Sequence, residues 1–172
     1  MEDLKRFIRN VPDFPKKGIL FRDITPLLED SYTFRKAIDI FAERYRDKEI
    51  DKIVSAEARG FIFSGTLAYI LDTGVVLVRK PGKLPYKTIK EDYKLEYGKN
   101  TFEIHSDAVK KGEKVLVFDD LLATGGTAFA ICRLVEKLGG EVVGVAFLVE
   151  LGSLKGREKL KDYDIYSLIK YG

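Results

Sequence analysis

The sequence predicts an α/β fold, a central parallel sheet flanked by helices, and three observations carry that expectation. Four short apolar runs, at residues 53–56, 75–78, 115–118 and 142–149, lack the polar alternation of a half-exposed strand and read as strands buried on both faces. Stretches with helical spacing separate them, so the order is strand, helix, strand, as in crossover units of a parallel sheet. No internal repeat or low-complexity linker breaks that order, and 172 residues suffice for one substantial core. A single domain over residues 1–172 is expected, with a hood over residues 1–30, a core over 31–150 and a tail over 151–172.

Taken along the chain, Leu4, Phe7, Ile8 and Val11 have the spacing of a short amphipathic helix, after which residues 12–26 are punctuated by proline and glycine and show no regular pattern. Asp30 and Ser31 are cap candidates for a helix whose apolar face is Phe34, Ala37, Ile38, Phe41 and Tyr45. The first core strand follows at 53–56, a helix at 61–71 and a second strand at 75–78, together a βαβ unit. A charged region spans residues 80–92. Two alternating segments, 93–97 and 101–105, separated by Gly98, Lys99 and Asn100, then read as a hairpin. The strand at 115–118, a helix over 128–138 ended by Gly139 and Gly140, and the strand at 142–149 form a second βαβ unit, and residues 164–169 suggest a further strand.

Composition excludes more than it selects. The protein is 33% charged with a formal net charge of +3, a mixed-sign surface unlike the concentrated basic face of a nucleic-acid binder. One cysteine excludes an internal disulfide framework, and no apolar run approaches the roughly 20 residues of a membrane span. The opening Met1-Glu2-Asp3-Leu4-Lys5 lacks the charge and apolar pattern of a secretion signal, so a cytoplasmic location is expected.

The densest functional signal is Val115-Leu116-Val117-Phe118-Asp119-Asp120-Leu121-Leu122-Ala123-Thr124-Gly125-Gly126-Thr127. Asp119 and Asp120 fall at the carboxyl end of a buried strand, where open α/β sheets bind ligands. Gly125 and Gly126 permit a tight turn, Thr127 is a cap candidate, and such a turn aims free N–H groups at an anion. The acidic pair sets the string apart from a turn meant only for phosphate. Carboxylates accept hydrogen bonds from vicinal ribose hydroxyls, so carboxylates and turn together suit a phosphorylated sugar. Neither the Walker pattern nor the dinucleotide-binding glycine pattern occurs in the sequence.

That string resembles the donor-binding motif of the type I phosphoribosyltransferases, and its wording is closest to the adenine-specific branch. Phe14-Pro15, the segment from Gly18 through Leu28, Glu57-Ala58-Arg59-Gly60-Phe61, Arg79-Lys80-Pro81-Gly82-Lys83-Leu84-Pro85, Leu95-Glu96-Tyr97-Gly98 and Val149-Glu150-Leu151 occur in the family's order and span nearly the whole sequence. The resemblance implies the type I fold with its small N-terminal hood and mobile hairpin loop, and a homodimer. It implies transfer of phosphoribosyl from 5-phosphoribosyl 1-pyrophosphate (PRPP) to adenine, giving AMP and pyrophosphate with Mg²⁺, in purine salvage. By position it assigns Asp119, Asp120, Ala123, Thr124, Gly125, Gly126 and Thr127 to the ribose and 5-phosphate, and Arg59, Arg79, Lys80 and Lys83 to pyrophosphate. Leu20, Phe21 and Arg22 are assigned to adenine, through backbone groups at Leu20 and Arg22 and the ring of Phe21. Catalytic roles fall on Glu96, Arg59 and Lys80, with Glu96 exchanging a proton with the purine. No dedicated ligand cage for Mg²⁺ is expected, because the ion binds mainly through the substrate.

Two further readings are weighed against this one. A 6-oxopurine such as xanthine or hypoxanthine as acceptor is disfavoured by the segment from Gly18 through Leu28. A non-catalytic PRPP-sensing regulator would ordinarily bring a DNA-binding domain, and residues 1–30 lack the basic helical character of one. Each assigned residue also has a plainer reading: Arg79, Lys80 and Lys83 as a solvated charge cluster, Glu96 as an exposed hairpin residue, Phe21 as packing between hood and sheet. Glu57 replaces an aspartate common in the family, and its role is open. Cys132 reads as buried packing and His105 as a polar strand-end residue. Tyr86, Tyr93 and Tyr97 suit either a subunit contact or packing within the hairpin.

Overall fold

The structure is a computed structural model that describes residues 2–94 and 99–172. A five-stranded parallel sheet forms its centre, made of β3 (Lys52–Ala56), β4 (Gly74–Val78), β7 (Lys114–Leu122), β8 (Glu141–Leu151) and β9 (Ile165–Tyr171) in the order β4-β3-β7-β8-β9. The expected parallel sheet flanked by helices is therefore present, and the strand of the tail joins it as an edge. β7 lies in the middle, and its side chains alternate between two cores. Leu116 and Phe118 pack toward α3 (Ser31–Tyr45) and α4 (Gly60–Leu71), while Val115 and Val117 pack toward α5 (Gly126–Lys137) and the antiparallel hairpin of β5 (Thr88–Lys94) and β6 (Lys99–His105). Burial on both faces explains why these strands carry almost no polar residues.

Local signals place the helices. Asp30 accepts the Thr33 N–H at 2.8 Å and caps α3, whose residues Ala37, Ile38, Phe41 and Tyr45 are buried as their spacing requires. α4 buries Phe63 and Leu67 on the sheet, and its Ser64 hydroxyl meets that of Ser55 on β3 at 2.8 Å. α5 begins at Gly126 with Gly125 as its cap residue in the left-handed conformation, φ 77°, so Thr127 is inside the helix and is not its cap. The backbone turn made possible by Gly125 takes the place of a side-chain cap.

The hood differs from the sequence expectation. Helix α1 covers only Glu2–Lys5, and Arg9–Pro12 is a strand, β1, paired antiparallel with β2 (Leu20–Asp23), which lies in the segment that showed no pattern. Val11 therefore faces Phe21 across a two-stranded ribbon and does not continue a helix. Pairing between separate segments leaves no trace in local periodicity. A short helix, α2 (Thr25–Glu29), then leads to α3. The hairpin is also longer than its alternation suggested. β5 starts inside the charged region at Thr88, and Lys99 and Asn100 belong to β6, paired with Lys94 and Tyr93. Tyr93 is buried and stacks on Phe102, with ring centroids 5.0 Å apart, so it serves packing within the hairpin. Tyr86 is exposed beside the ring of His105, the last residue of β6, and Tyr97 lies outside the described residues. Cys132 is fully buried, and burial pushes its thiol well above the ordinary range, which leaves it inert packing as expected.

Phe118 is the hinge of one core, edge-on to Phe41 at 5.0 Å and stacked on Phe63 at 5.6 Å. Phe118→Ala would remove both ring contacts from a fully buried site. It should cost about 3–5 kcal/mol of unfolding free energy, read from the urea midpoint; a loss under about 1 kcal/mol would mean that neighbouring residues close the cavity.

Candidate active site

The parallel sheet reverses its strand order between β3 and β7. From β3 the backbone crosses to β4 on one side, and from β7 it crosses to β8 on the other, so a crevice opens beyond the carboxyl ends of β3 and β7. Both strands deliver charged residues there. After Ala56 the backbone passes Glu57 and Ala58, joined by a cis peptide, to Arg59, and then enters α4. β7 runs on through Asp119 and Asp120. Gly60 allows the two segments to meet, since a Cβ there would lie 3.3 Å from Asp119 Oδ1 and 3.3 Å from Ser55 Cβ. Arg59 Nε is 2.9 Å from Asp120 Oδ2, an ion pair without hydrogen-bond alignment. Asp120 Oδ2 is buried and has no hydrogen-bond donor among the described residues.

The two carboxylates sit in a demanding environment. Asp119 Oδ1 accepts the Asp120 N–H at 2.9 Å. Burial, and next the adjacent Asp120 charge, push the Asp119 carboxyl well above its ordinary range. Burial also raises Asp120, against the opposing pull of Arg59. Beyond them, Ala123, Thr124, Gly125, Gly126 and Thr127 line a cavity of about 50 Å³ at the N-terminus of the twelve-residue helix α5. Unpaired N–H groups and the helix dipole favour an anion at such a place.

A cationic loop follows β4. Arg79, Lys80 and Lys83 are gathered around one carboxylate, Glu57. Its Oε1 accepts the Lys80 N–H at 2.6 Å, its Oε2 accepts Lys83 Nζ at 2.8 Å, and Arg79 Nη2 lies 3.5 Å from Oε2. Burial pushes the Glu57 carboxyl up, but these hydrogen bonds and the Lys83 and Arg79 charges outweigh it and hold the group below its ordinary value. A second acid, Glu103 on β6, accepts the Gly82 N–H at 3.1 Å and pairs with Lys90 Nζ at 3.1 Å. Its backbone also exchanges two hydrogen bonds with Arg79, at 3.0 and 2.7 Å. The loop is thus tied both to the crevice and to the hairpin. Sequence reasoning left Glu57 without a role and passed over Glu103; only the adjacency of Glu57 to Arg59 hinted at the first.

The hood ribbon lies across the opening. Alternation along β2 sends Leu20 and Arg22 to one side, where they line a cavity of about 580 Å³ with Thr124, Leu151 and Tyr171, and Phe21 to the other. Phe21 packs edge-on against Phe14, centroids 5.0 Å apart, with the Arg59 guanidinium 5.3 Å from its ring centre. The Arg22 side chain donates to Asn10 and stacks over Tyr171 at 3.9 Å. The three residues assigned to adenine therefore do not line one cavity. Of all the residues assigned to the site in the sequence, Glu96 alone falls outside the described residues; β5 and β6, which lead to and from it, stand beside the cationic loop.

This fold, with an acidic pair and a glycine turn at the switch point, is suited to a phosphorylated sugar, and comparison with known proteins gives the class of protein. Residues 26–171 match the phosphoribosyl transferase domain family. The chain belongs to that family, and within it to the adenine phosphoribosyltransferases. It is 62% identical to adenine phosphoribosyltransferase of Thermotoga petrophila, over 98% of this chain and 99% of the relative. The crystal structure of the Thermoanaerobacter pseudethanolicus adenine phosphoribosyltransferase superposes with a TM-score of 0.96 at 54% identity, covering 99% of both proteins. The Trypanosoma brucei enzyme, solved in complex with AMP, pyrophosphate and ribose-5-phosphate, gives a TM-score of 0.90 at 27% identity, covering 98% of this protein and 78% of its own length.

The raised Asp119 carboxyl has a testable consequence for stability. A carboxyl whose folded pKa is raised favours the folded state below the ordinary carboxylate range and costs stability as pH rises through the raised value. Asp119→Asn should therefore melt above wild type at neutral pH, and the gain should vanish as pH falls toward about 4. Thermal midpoints across that range check it, and a variant less stable than wild type at neutral pH would contradict it.

Proposed function

We propose that this protein catalyses the transfer of phosphoribosyl from PRPP to adenine, giving AMP and pyrophosphate, with Asp119 and Asp120 gripping the ribose hydroxyls. The observation that carries the reading is the acidic pair beside Arg59 at the switch point, with an anion-ready turn one step further along the backbone. The buried, donor-less Oδ2 of Asp120 suits a hydroxyl hydrogen. The turn from Ala123 to Thr127 holds the 5-phosphate at the N-terminus of α5.

In the reaction a base nitrogen forms a bond to C1 of the ribose while the C1–O bond to pyrophosphate breaks, and pyrophosphate leaves with the bonding electrons. Positive charge grows on the ring and negative charge on the leaving group. Arg59, Arg79, Lys80 and Lys83 answer the second, and the carboxylates Asp119 and Asp120 lie beside the first. Glu57 holds Arg79 and Lys83 in place before the donor arrives, and the more highly charged pyrophosphate competes for them. Glu96 takes or gives the purine proton. Phe21 offers a face to the base. Backbone C=O and N–H groups at Leu20 and Arg22 match the amino donor and ring acceptor of adenine, an edge that 6-oxopurines reverse.

Mg²⁺ fits this site as a partner of the donor. Asp119 and Asp120 at the crevice would help to hold the ion, through hydroxyls or water, with the substrate supplying most of its ligands. When bound, the ion neutralises phosphate charge and so assists departure of the leaving group.

The protein acts as a homodimer in the cytoplasm. Tyr69 and Ile70 on α4, with Val75 and Leu77 on the edge strand β4, are exposed apolar residues that support the subunit contact. No helix of the described residues is long and apolar enough to cross a membrane.

Purified protein with PRPP and Mg²⁺, offered adenine, hypoxanthine, guanine and xanthine separately, should release pyrophosphate with adenine far faster than with the others. No turnover with any base would end the enzyme reading, and preference for an oxopurine would end the assignment of adenine. Glu96→Gln should lower kcat much more than it changes PRPP binding; an unchanged kcat removes its role. Arg59→Ala should cost about 1.5–3 kcal/mol of transition-state stabilisation, one to two powers of ten in kcat/KM.

A further inference from the structure

Against the phosphate turn, outside the residues that line the cavity there, runs the segment that follows β8. Its Gly156 and the turn's Gly125 are packed backbone to backbone. A Cβ on Gly156 would lie 2.3 Å from the Ala123 carbonyl oxygen, 2.7 Å from Leu122 Cδ1 and 3.0 Å from the Gly125 nitrogen. A Cβ on Gly125 would lie 2.4 Å from the Gly156 carbonyl oxygen. Neither contact has room for a side chain, and the nearest neighbour in each case is backbone, so nothing flexible can give way.

The segment carrying Gly156 is itself anchored. Arg157 donates from Nε to Glu150 Oε1 at 2.7 Å and from Nη2 to Oε2 at 2.9 Å, a two-pronged pair, and reaches the Ile165 carbonyl at 3.4 Å and the Ser167 hydroxyl at 3.5 Å. Glu150 is buried in β8, and Ile165 and Ser167 belong to β9, so one guanidinium ties the segment to two strands of the central sheet. Leu160, three residues further, is fully buried in the core beneath α5. The hydrogen bonds from Arg157 hold the Glu150 carboxyl below its ordinary range, so the pair is charged at neutral pH. Glu150 comes from the motif Val149-Glu150-Leu151, which has no task in the proposed chemistry.

We propose that Gly156, fixed by the Glu150–Arg157 pair, is a rigid backstop that sets the position of the Ala123 to Thr127 turn, making these three positioning residues for the 5-phosphate half of the substrate. The inference rests on the reading that this turn binds the 5-phosphate. A turn of glycines at a helix N-terminus has little stiffness of its own, and a fixed surface behind it keeps its N–H groups aimed before the ligand arrives. None of the three lines the cavity at the turn. Pyrophosphate, bound on the far side of the crevice by Arg59 and the 79–83 loop, is outside their influence.

Ribose 5-phosphate and inorganic pyrophosphate, titrated separately into the full-length protein by calorimetry, distinguish the two halves. In Gly156→Ala the new methyl must displace the Ala123 carbonyl by about 1 Å, and ribose 5-phosphate affinity should fall by about tenfold or more while pyrophosphate affinity stays within about twofold of wild type. Arg157→Lys keeps the charge and loses the fork. It guards against a Gly156 variant that fails to fold and should raise KM for PRPP while leaving kcat at saturating PRPP nearly unchanged. Ribose 5-phosphate binding equal to wild type in both variants overturns the backstop, as does an equal loss for both ligands, which would mark general destabilisation. Absence of ribose 5-phosphate binding in the wild type itself would overturn the reading of the turn, and the backstop with it.

Discussion

The pairing of β3 with β7 is the constraint on which the rest depends. Lys52 pairs with Val115 and Ser55 with Phe118, so the two strands run side by side while their onward connections leave in opposite directions. That register brings Arg59 within reach of Asp120 and leaves Gly60 against Asp119. A shift of one residue would turn Leu116 and Phe118 out of the aromatic core with Phe41 and Phe63, so hydrophobic packing enforces the geometry of the site.

Around this crevice, carboxylates hold cations wherever the proposed chemistry needs cations held. Asp120 faces Arg59, Glu57 collects the side chains of Arg79 and Lys83 and the backbone N–H of Lys80, and Glu103 fixes the turn at Gly82 and joins it to the hairpin. Exposed or half-exposed pairs of this kind add little to stability. Their value lies in position, since a flexible lysine or arginine beside a fixed acid samples fewer arrangements. The pairs are also exchangeable. A ligand bearing several negative charges can outbid a single carboxylate for each cation, which leaves the acids free to restrain the loop once the product departs.

The acidic pair is an opposite case, a cost on the fold. Two adjacent carboxylates are buried where one arginine only partly compensates them, and burial drives both toward protonation. The surrounding core absorbs this cost. β7 is enclosed along nearly its whole length, and α5, which follows the turn, buries Ala130, Ile131, Leu134 and Val135 in the core beside it. A site that strains its own strand needs that strand to be well supported.

The sequence by itself determined the parallel core, because burial on both faces forces uninterrupted apolar runs and helical spacing marks the elements between them. It also carried the acidic pair, the glycine turn and the cationic residues, since each depends on residue types that few other roles require in that order. It was silent where structure comes from pairing across distance. β1 carried the spacing of a helix end through Val11, β2 was hidden in a proline- and glycine-rich stretch, and the hairpin began within a charged run, because strands at an edge or in a small ribbon need no apolar periodicity. Only the tertiary structure decided that Glu57 gathers the Arg79 and Lys83 cations and the Lys80 backbone, that Phe21 and Leu20 face opposite ways, and that Gly156 packs against the glycine turn. Each of these is set by packing and register between segments, to which local sequence contributes only the residue that happens to fit.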